Sequence, residues 1–501
     1  MFVRKKPNKS GVISVQVIAK INGKSKLIKT IGSSKDERII EELVNKGKEF
    51  IYSYGGQTTL NFSNESSLIK SVFQQIDSHI EVGTELLLGK IFNQIGFNIV
   101  ADKLFKQLVF SRLTFPTSKL KTSDYLGKYH DLEYPVQQIY RYMDKLHSTQ
   151  KELVQRISFE HTKKILGGQI AIVFYDVTTL YFEIDQEDDL RKTGFSKEGK
   201  HQNPQIVLGL LVSREGYPLA YEIYEGNKFE GHTMLPVLDL FKQTYSLEQL
   251  VIIADSGLLS NANIEELQEK DYEFILGARI KNEKQHIQDK ILSLCLKNGE
   301  SGVIEKNGLK LIVTYSDNRA KKDRLNRERG LKKLEKQIKK GKLTKSSINN
   351  RGYNKYLKMD GQINIVIDYK RFNADASWDG LKGYISNARL SKDEIIENYG
   401  HLWQIEKAFR VSKTDLKIRP IYHRAQRRIE AHICISFVAY KVYKELERQL
   451  KLFNAELSPE KAIEIAKTIY QVKATVKGNT VSQTLLLNQE QQKLAKLFGF
   501  G

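Results

Sequence analysis

The sequence predicts an α/β protein with its functional site in the middle and latter part of the chain, and three observations predict it. First, the segments GQIAIVFYDVT (168–178) and LVIIADSG (250–257) each carry an apolar run of buried-strand length. Each run ends in a carboxylate, Asp176 and Asp255. Second, the residues between and after them read as hairpin, helix, strand, helix, strand, and acids at the exits of buried strands are where α/β ligand sites form. Third, YGHLWQIEKAFRVSK (399–413) is a charged helical stretch with one glutamate, Glu406, in its middle. Helical spacing lines up Tyr399, Leu402, Glu406, Arg410 and Lys413 as one stripe. An acid between cations and a phenol suits a metal ligand whose neighbours hold phosphates.

Composition narrows the partner. At 501 residues the chain is long enough for about three domains. No apolar run approaches the ~20 residues that span a bilayer, and the basic N-terminus MFVRKKPNKSG lacks the apolar core of a secretory signal. Cys295 and Cys434 lack metal-site spacing and cannot form a disulfide framework, so both are expected in reduced, cytosolic cores. The net charge of +21 favours a polyanion, nucleic acid before membrane. No basic amphipathic anchor stands out, which discounts the membrane, and the expected location is cytoplasmic.

In chain order, residues 11–31 alternate around Asn22-Gly23, a hairpin signal, and a helix over Lys35–Tyr52 completes a small module (1–62). Residues 63–165 read as helical through SLIKSVFQQI, ELLLGKIFNQIGF, IVADKLFKQLVFSRL and VQQIYRYMDKLH, a domain suited to recognising a ligand or partner and, with the charge of the chain, a candidate for binding DNA. The first part of the core follows (166–280), with a hairpin around Glu215-Gly216. Residues 281–372 form an insertion with strands at 302–315 and 362–369. Between Arg319 and Lys358 it holds 16 Lys/Arg against three acids, a charge density that suits gripping phosphates. The second part of the core (373–450) opens on a strand at 381–388, then a Ser391/Glu394 capping box that leads into the Glu406 helix. A long buried helix is expected at 427–451. The last segment (451–501) reads as one or two helices with a polar loop around Gly478 and is a candidate for dimerisation. No internal repeat is present.

Cleaving a phosphodiester requires a nucleophile and relief of charge on phosphorus, and a pair of Mg²⁺ ions held by hard oxygen ligands meets both needs. Asp176, Asp255 and Glu406 supply that ligand set. Taken singly each acid has an ordinary structural reading, at a strand end or on a helix surface. Together, on two buried strands and a helix with phosphate partners, they read as a site.

Here the sequence resembles the DDE transposases of bacterial insertion sequences, in the branch with a β-rich insertion before the glutamate. Tyr399, Glu406 and Lys413 match the Y-x2-R-x3-E-x6-K signature. The stretches YDVTTLYFE, GYPLAYEIYEGNKFEGHT, IIADSGLLSNANIEEL and LWQIEKAFRVSKTDLKIRPIYHRAQRRIEAHICISFVAY are similar too. Leu402 stands where the signature has arginine, so that contact is lost or passes to Arg410 or His401. The resemblance implies an RNase H-like core and metal-dependent nicking at the ends of a mobile element, followed by joining of the freed 3′-OH to target DNA. It further implies Asp176, Asp255 and Glu406 as catalytic ligands of two Mg²⁺ ions, with Mn²⁺ able to substitute. Tyr399 and Lys413 would be DNA contacts, joined by Arg410, and a homodimer would hold two terminal inverted repeats in a synaptic complex.

Around these, Thr178 and Thr179 are candidates to support Asp176, and Asn203 and Glu230 to line the site. Asp185, Asp188 and Asp189 read more simply as a solvated loop, and Trp378 and Tyr384 as core rather than base-stacking residues. Two other readings compete: a non-catalytic DNA-binding descendant of a transposase, which would not need all three carboxylates, and an RNase H-like nuclease, which would not need the signature.

Overall fold

The protein is described by a computed structural model covering residues 1–21, 23–54, 73, 76–196, 199–247, 250–258, 260–341, 343–350, 352–360, 364–476 and 479–500. The expected helix at SLIKSVFQQI, Asn22 and the Gly478 loop lie wholly or mostly outside these residues. The chain divides into two compact units, Met1–His79 with Val472–Gln483, and Ile80–Gln471 with Thr484–Gly501.

In the first unit the expected hairpin is present as β2 (Ile13–Ile21) and β3 (Lys24–Ser34). Strand β1 (Phe2–Pro7), not foreseen, pairs antiparallel with β2 to give the order β1-β2-β3, and α1 (Glu37–Tyr54) packs on the sheet. Gly23 takes a φ of +78° in the turn, where a side chain would be strained.

The second unit begins, after β4 (Ile76–Glu81), with helices α2 (Gly83–Ile95), α3 (Lys103–Thr114), α4 (Lys119–His130), α5 (Val136–Thr149) and α6 (Lys151–Ile165). Asp102 and Ser118 cap α3 and α4 by accepting backbone N–H groups in their first turns. Then come β5 (Ile172–Tyr181), β6 (Gln205–Ser213), β7 (Pro218–Glu225), α7 (Met234–Tyr245), β8 (Val251–Ala254), α8 (Asn261–Glu269) and β9 (Glu273–Ala278). This is the expected order. Strands β5, β6 and β7 are antiparallel neighbours, while β8 and β9 add parallel to β5 on its other side. The resulting order β7-β6-β5-β8-β9 is that of an RNase H-like core.

The insertion follows as α9 (Gln285–Ser293), β10 (Ser301–Lys306), β11 (Leu309–Tyr315), α10 (Asp317–Lys339), β12 (Leu357–Asp360), β13 (Asn364–Ile367) and α11 (Tyr369–Ala374). Strands β10 and β11 extend the main sheet through β14 (Leu381–Ser386), giving eight strands. The dense basic run rides largely on α10, and β12, β13 and α11 bury a small core of their own around Leu334, Tyr356 and Phe372.

Helices α12 (Lys392–Gly400), α13 (Trp403–Thr414) and α14 (Gln426–Leu452) complete the core. The Ser391/Glu394 capping box is formed. Residues 399–413 are not one helix, however: His401 and Leu402 make a tight turn that separates α12 from α13. After α15 (Pro459–Ala466) the chain forms a hairpin, β15 (Tyr470–Val476) and β16 (Asn479–Leu485), in a three-stranded sheet with β4, before α16 (Gln489–Phe498). The all-helical expectation for 451–501 is corrected there, as is the one for 63–165 at β4. Short strands of mixed polarity such as YQVKATV give little periodicity to read. Cys434 is buried as expected, but Cys295 is exposed.

Strand alternation sends the sheet's side chains into two cores. Val173, Tyr175, Ile252 and Ala254 pack with Leu238 and Phe241 of α7. Phe174, Ile253 and Ile275 face the other way, onto α13, α14 and helices α2, α3, α5 and α6. Nearly all of α14 is buried, so its charged side chains need internal partners. Glu447 accepts from Lys444 on its own helix and from Lys407 on α13. Burial alone would raise its carboxyl, but the two ammonium groups outweigh burial and hold it at about 2.

That folded value lies below the unfolded 4.5, so the stability it contributes is present above about pH 4.5 and is lost as pH falls toward 2. Glu447→Gln strands the buried Lys444 and the half-buried Lys407 and is expected to cost about 3 kcal/mol in denaturant melts at neutral pH. The same change should remove part of the acid destabilisation seen between those pH values.

Candidate active site

Asp176 does not sit at a strand exit. Strand β5 continues to Tyr181 because β6 pairs with it along its length, from Val173↔Ser213 to Tyr181↔Gln205, so Asp176 is mid-strand. Asp255 is at the end of β8, as expected. The parallel register pairs Tyr175 with Ala254, which sets Asp176 and Asp255 side by side on neighbouring strands, about 4.8 Å apart in backbone spacing. Alternation then fixes their direction. Phe174 and Ile253 belong to the core on the α13 side, so Asp176 and Asp255 point to that face.

Glu406 enters the same face from α13, which packs on β5 and β6 through Ile405, Ala408 and Phe409. Its carboxylate is exposed and lies in the first turn of the helix, where the N-terminal dipole favours negative charge. The backbone N–H groups of Val177 and Ser256 donate to Asp176 and Asp255 at 2.8 and 2.7 Å, orienting both carboxylates.

The turn at His401–Leu402 reshapes the expected stripe. Tyr399 and Leu402 are 4% and 9% exposed and belong to the core, while Glu406 and Arg410 are exposed and Lys413 is half-buried. Tyr399, expected as a DNA contact near the cleaved end, is buried beside the site. Burial first, then the nearby charge of Asp255, push its phenol well above the ordinary value, so the hydroxyl stays protonated beside that carboxylate. Leu402, in the signature's arginine position, is an apolar packing residue at the start of α13. His401 turns to Arg214 and Glu397.

Two residues were missed. Lys382 on β14 stacks its ammonium on the rings of Tyr399 and Tyr384, 4.6 and 5.3 Å from their centroids, and feels both Asp255 and Glu406. Burial, then Arg319, push that ammonium below its ordinary value against the pull of the two carboxylates. Arg319 stands in the first turn of α10, so the basic insertion begins beside the site. A lysine in an otherwise apolar strand, LKGYIS, was the available signal.

Other candidates sort simply. Thr178 shares the Asp176 face of β5 and Thr179 the opposite one. Asp188 is engaged by Arg191 and by backbone N–H groups of its own loop. Asn203 donates to the Phe182 carbonyl. The Glu230 carboxylate comes within 3.9 Å of where a Cβ on Gly257 would stand, so a fourth acid flanks the Asp255 loop. Trp378 and Tyr384 are buried.

The three carboxylates are hard oxygen donors, suited to Mg²⁺ or Mn²⁺. Among the described residues no three His, Cys, Asp or Glu side chains already form a group able to hold an ion.

A family model described as "Transposase DDE domain" matches residues 167–441. No curated protein matches the chain in sequence. Among solved structures, a cryo-EM piggyBac transposase synaptic complex with hairpin DNA aligns at TM-score 0.40 and 10% identity, covering 77% of this chain and 78% of that one. A Mos1 transposase paired-end complex with the left transposon end aligns at 0.16 and 9%, covering 32% and 53%. A Mos1 mariner paired-end complex with Mn aligns at 0.15 and 12%, covering 32% and 54%.

Gly277 on β9 makes room for Tyr399. A Cβ there would stand 2.5 Å from the Tyr399 hydroxyl and 2.9 Å from the Ser256 backbone nitrogen. Gly277→Ala is expected to cost roughly 1–3 kcal/mol by overpacking. Adding Tyr399→Phe should recover part of the loss, measured as a non-additive double-mutant cycle in denaturant melts.

Proposed function

Because the chain belongs to the transposase DDE-domain family, whose model spans more than half of it, we propose that it is a Mg²⁺-dependent DNA transposase of an insertion sequence. It binds the element's terminal inverted repeats, hydrolyses a phosphodiester at each end and joins the freed 3′-OH to target DNA, working as a homodimer in a synaptic complex. The observation that carries this reading is that Asp176 and Asp255 stand on neighbouring parallel strands on the face covered by α13, the helix that bears Glu406.

In this reading Asp176, Asp255 and Glu406 hold two Mg²⁺ ions, with Mn²⁺ able to substitute. Bound there, the ions would supply a water-derived nucleophile at neutral pH and offset charge at phosphorus. The chain's own residues do the rest. The Ser256 backbone N–H orients Asp255, and Tyr399 stays protonated and neutral beside it. Lys382 and Arg319 place positive charge beside the carboxylates, where non-bridging phosphate oxygens would lie. Arg410, exposed one turn beyond Glu406, and Lys413 carry the strand away from the cut.

Replacing Asp176 or Asp255 by Asn, or Glu406 by Gln, should abolish cleavage of element-end duplexes in Mg²⁺, with DNA affinity kept within a few-fold. Near-normal cleavage in any one variant would remove that residue from the site. Lys382→Met should slow cleavage by about 100-fold or more without a matching loss of binding, as for loss of a positioned charge-stabilising donor.

A further inference from the structure

Away from the carboxylates, a cavity of about 430 Å³ opens where α3, α4 and α5 meet the chain between α13 and α14. It is lined by Arg112, Lys119, Lys121, Lys417 and Arg419, and no aspartate or glutamate is among its lining residues. Lys417, in its wall, lies just beyond the C-terminal end of α13, the helix that bears Glu406 in its first turn.

Two of these cations are nine-tenths or more buried, Arg112 at 5% and Lys119 at 4% exposure. Arg112 reaches the carbonyls of Leu416 and Lys417 at 3.4 Å and donates to His432 Nδ1 at 3.3 Å, while its buried Nε–H has no partner. His432 can accept because its Nε2–H donates to the Ile418 carbonyl at 3.0 Å. Among the described residues no carboxylate pairs with Arg112 or Lys119; burial pushes both cations below their ordinary values, and the charge of Arg112 lowers Lys119 further. Burying two uncompensated cations side by side is costly, and a bound anion removes the cost. The first turn of α4, a twelve-residue helix, forms one wall and adds the positive end of its dipole. Tyr422, 71% exposed, lies at the rim and offers a face on which a base can stack.

We propose that this pocket is a phosphate-binding subsite, built by Arg112 and Lys119 and separate from the carboxylate site. Its volume admits a phosphate together with the nucleotide that bears it. The phosphate belongs either to a DNA strand leaving the active site or to a free phosphate ion or nucleotide. The proposal does not depend on the carboxylates being catalytic, because its readouts are binding alone.

The test uses the full chain and Lys119→Gln, leaving Arg112 intact because it ties α3 to the segment between α13 and α14 and to His432; exposed Lys121→Gln serves as a second variant that leaves the buried pair in place. Thermal melting is followed in sodium phosphate against sodium chloride of equal ionic strength. Phosphate should raise the melting midpoint of the wild-type chain, lose that effect in Lys119→Gln and keep a reduced effect in Lys121→Gln. Binding of a random-sequence DNA duplex is measured across salt concentrations in parallel. If the source is DNA, Lys119→Gln lowers the slope of log affinity against log salt by about 1; if it is a free phosphate ion or nucleotide, the slope is unchanged while the phosphate effect is lost. Absence of stabilisation by phosphate in the wild-type chain, or an equal effect in Lys119→Gln, overturns the proposal.

Discussion

The parallel pairing of β5 with β8 is the constraint on which the rest of the site depends. One register, Tyr175 opposite Ala254, places two aspartates side by side and points both to the face that carries α13. A slip of one residue would turn an aspartate into the opposite, largely apolar core. That core, with Leu238 and Phe241 of α7 against Tyr175 and Ile252, is part of what holds the register. The third carboxylate then needs only a helix seated on the correct face. The apolar side of α13 and the ion pair from Lys407 to Glu447 on α14 seat it.

Around that frame the site is tuned by buried side chains that never need to reach solvent. Tyr399 is held between Tyr384, the space above Gly277 and the ammonium of Lys382. It presents a permanently protonated hydroxyl to Asp255. Lys382 joins this layer to the first turn of α10, so the basic insertion delivers Arg319 to the site while its remaining charges spread along the helix. The insertion is fixed to the core by Asp375, which binds Lys281 on one side and Lys355 on the other.

Much of this was legible in the residues. Apolar run length and the acids within them located both aspartates, and the Ser391/Glu394 pattern located the entry to the Glu406 helices. What stayed hidden depends on tertiary context. Periodicity cannot show that two residues, His401 and Leu402, break one helix into two, and that break turns Tyr399 inward. It also cannot show that β5 runs on past Asp176, since only its pairing with β6 extends it. Lys382 and the Arg112–Lys119 pair read as ordinary basic residues among 80; the place of Lys382 beside Asp255 and Glu406, and the burial of Arg112 and Lys119 away from acids, emerge only from packing.

The central claim is that Asp255 ligates a metal, and the most direct measurement is a change of ligand softness at that position. Thiolate binds softer ions and serves Mg²⁺ poorly. Cleavage of element-end DNA by Asp255→Cys should vanish in Mg²⁺ and return in part when Mn²⁺ replaces it, while Asp255→Ala stays inactive in both. Cleavage by the Cys variant that is equal in the two metals, or Mn²⁺ rescue of the Ala variant, would contradict the account.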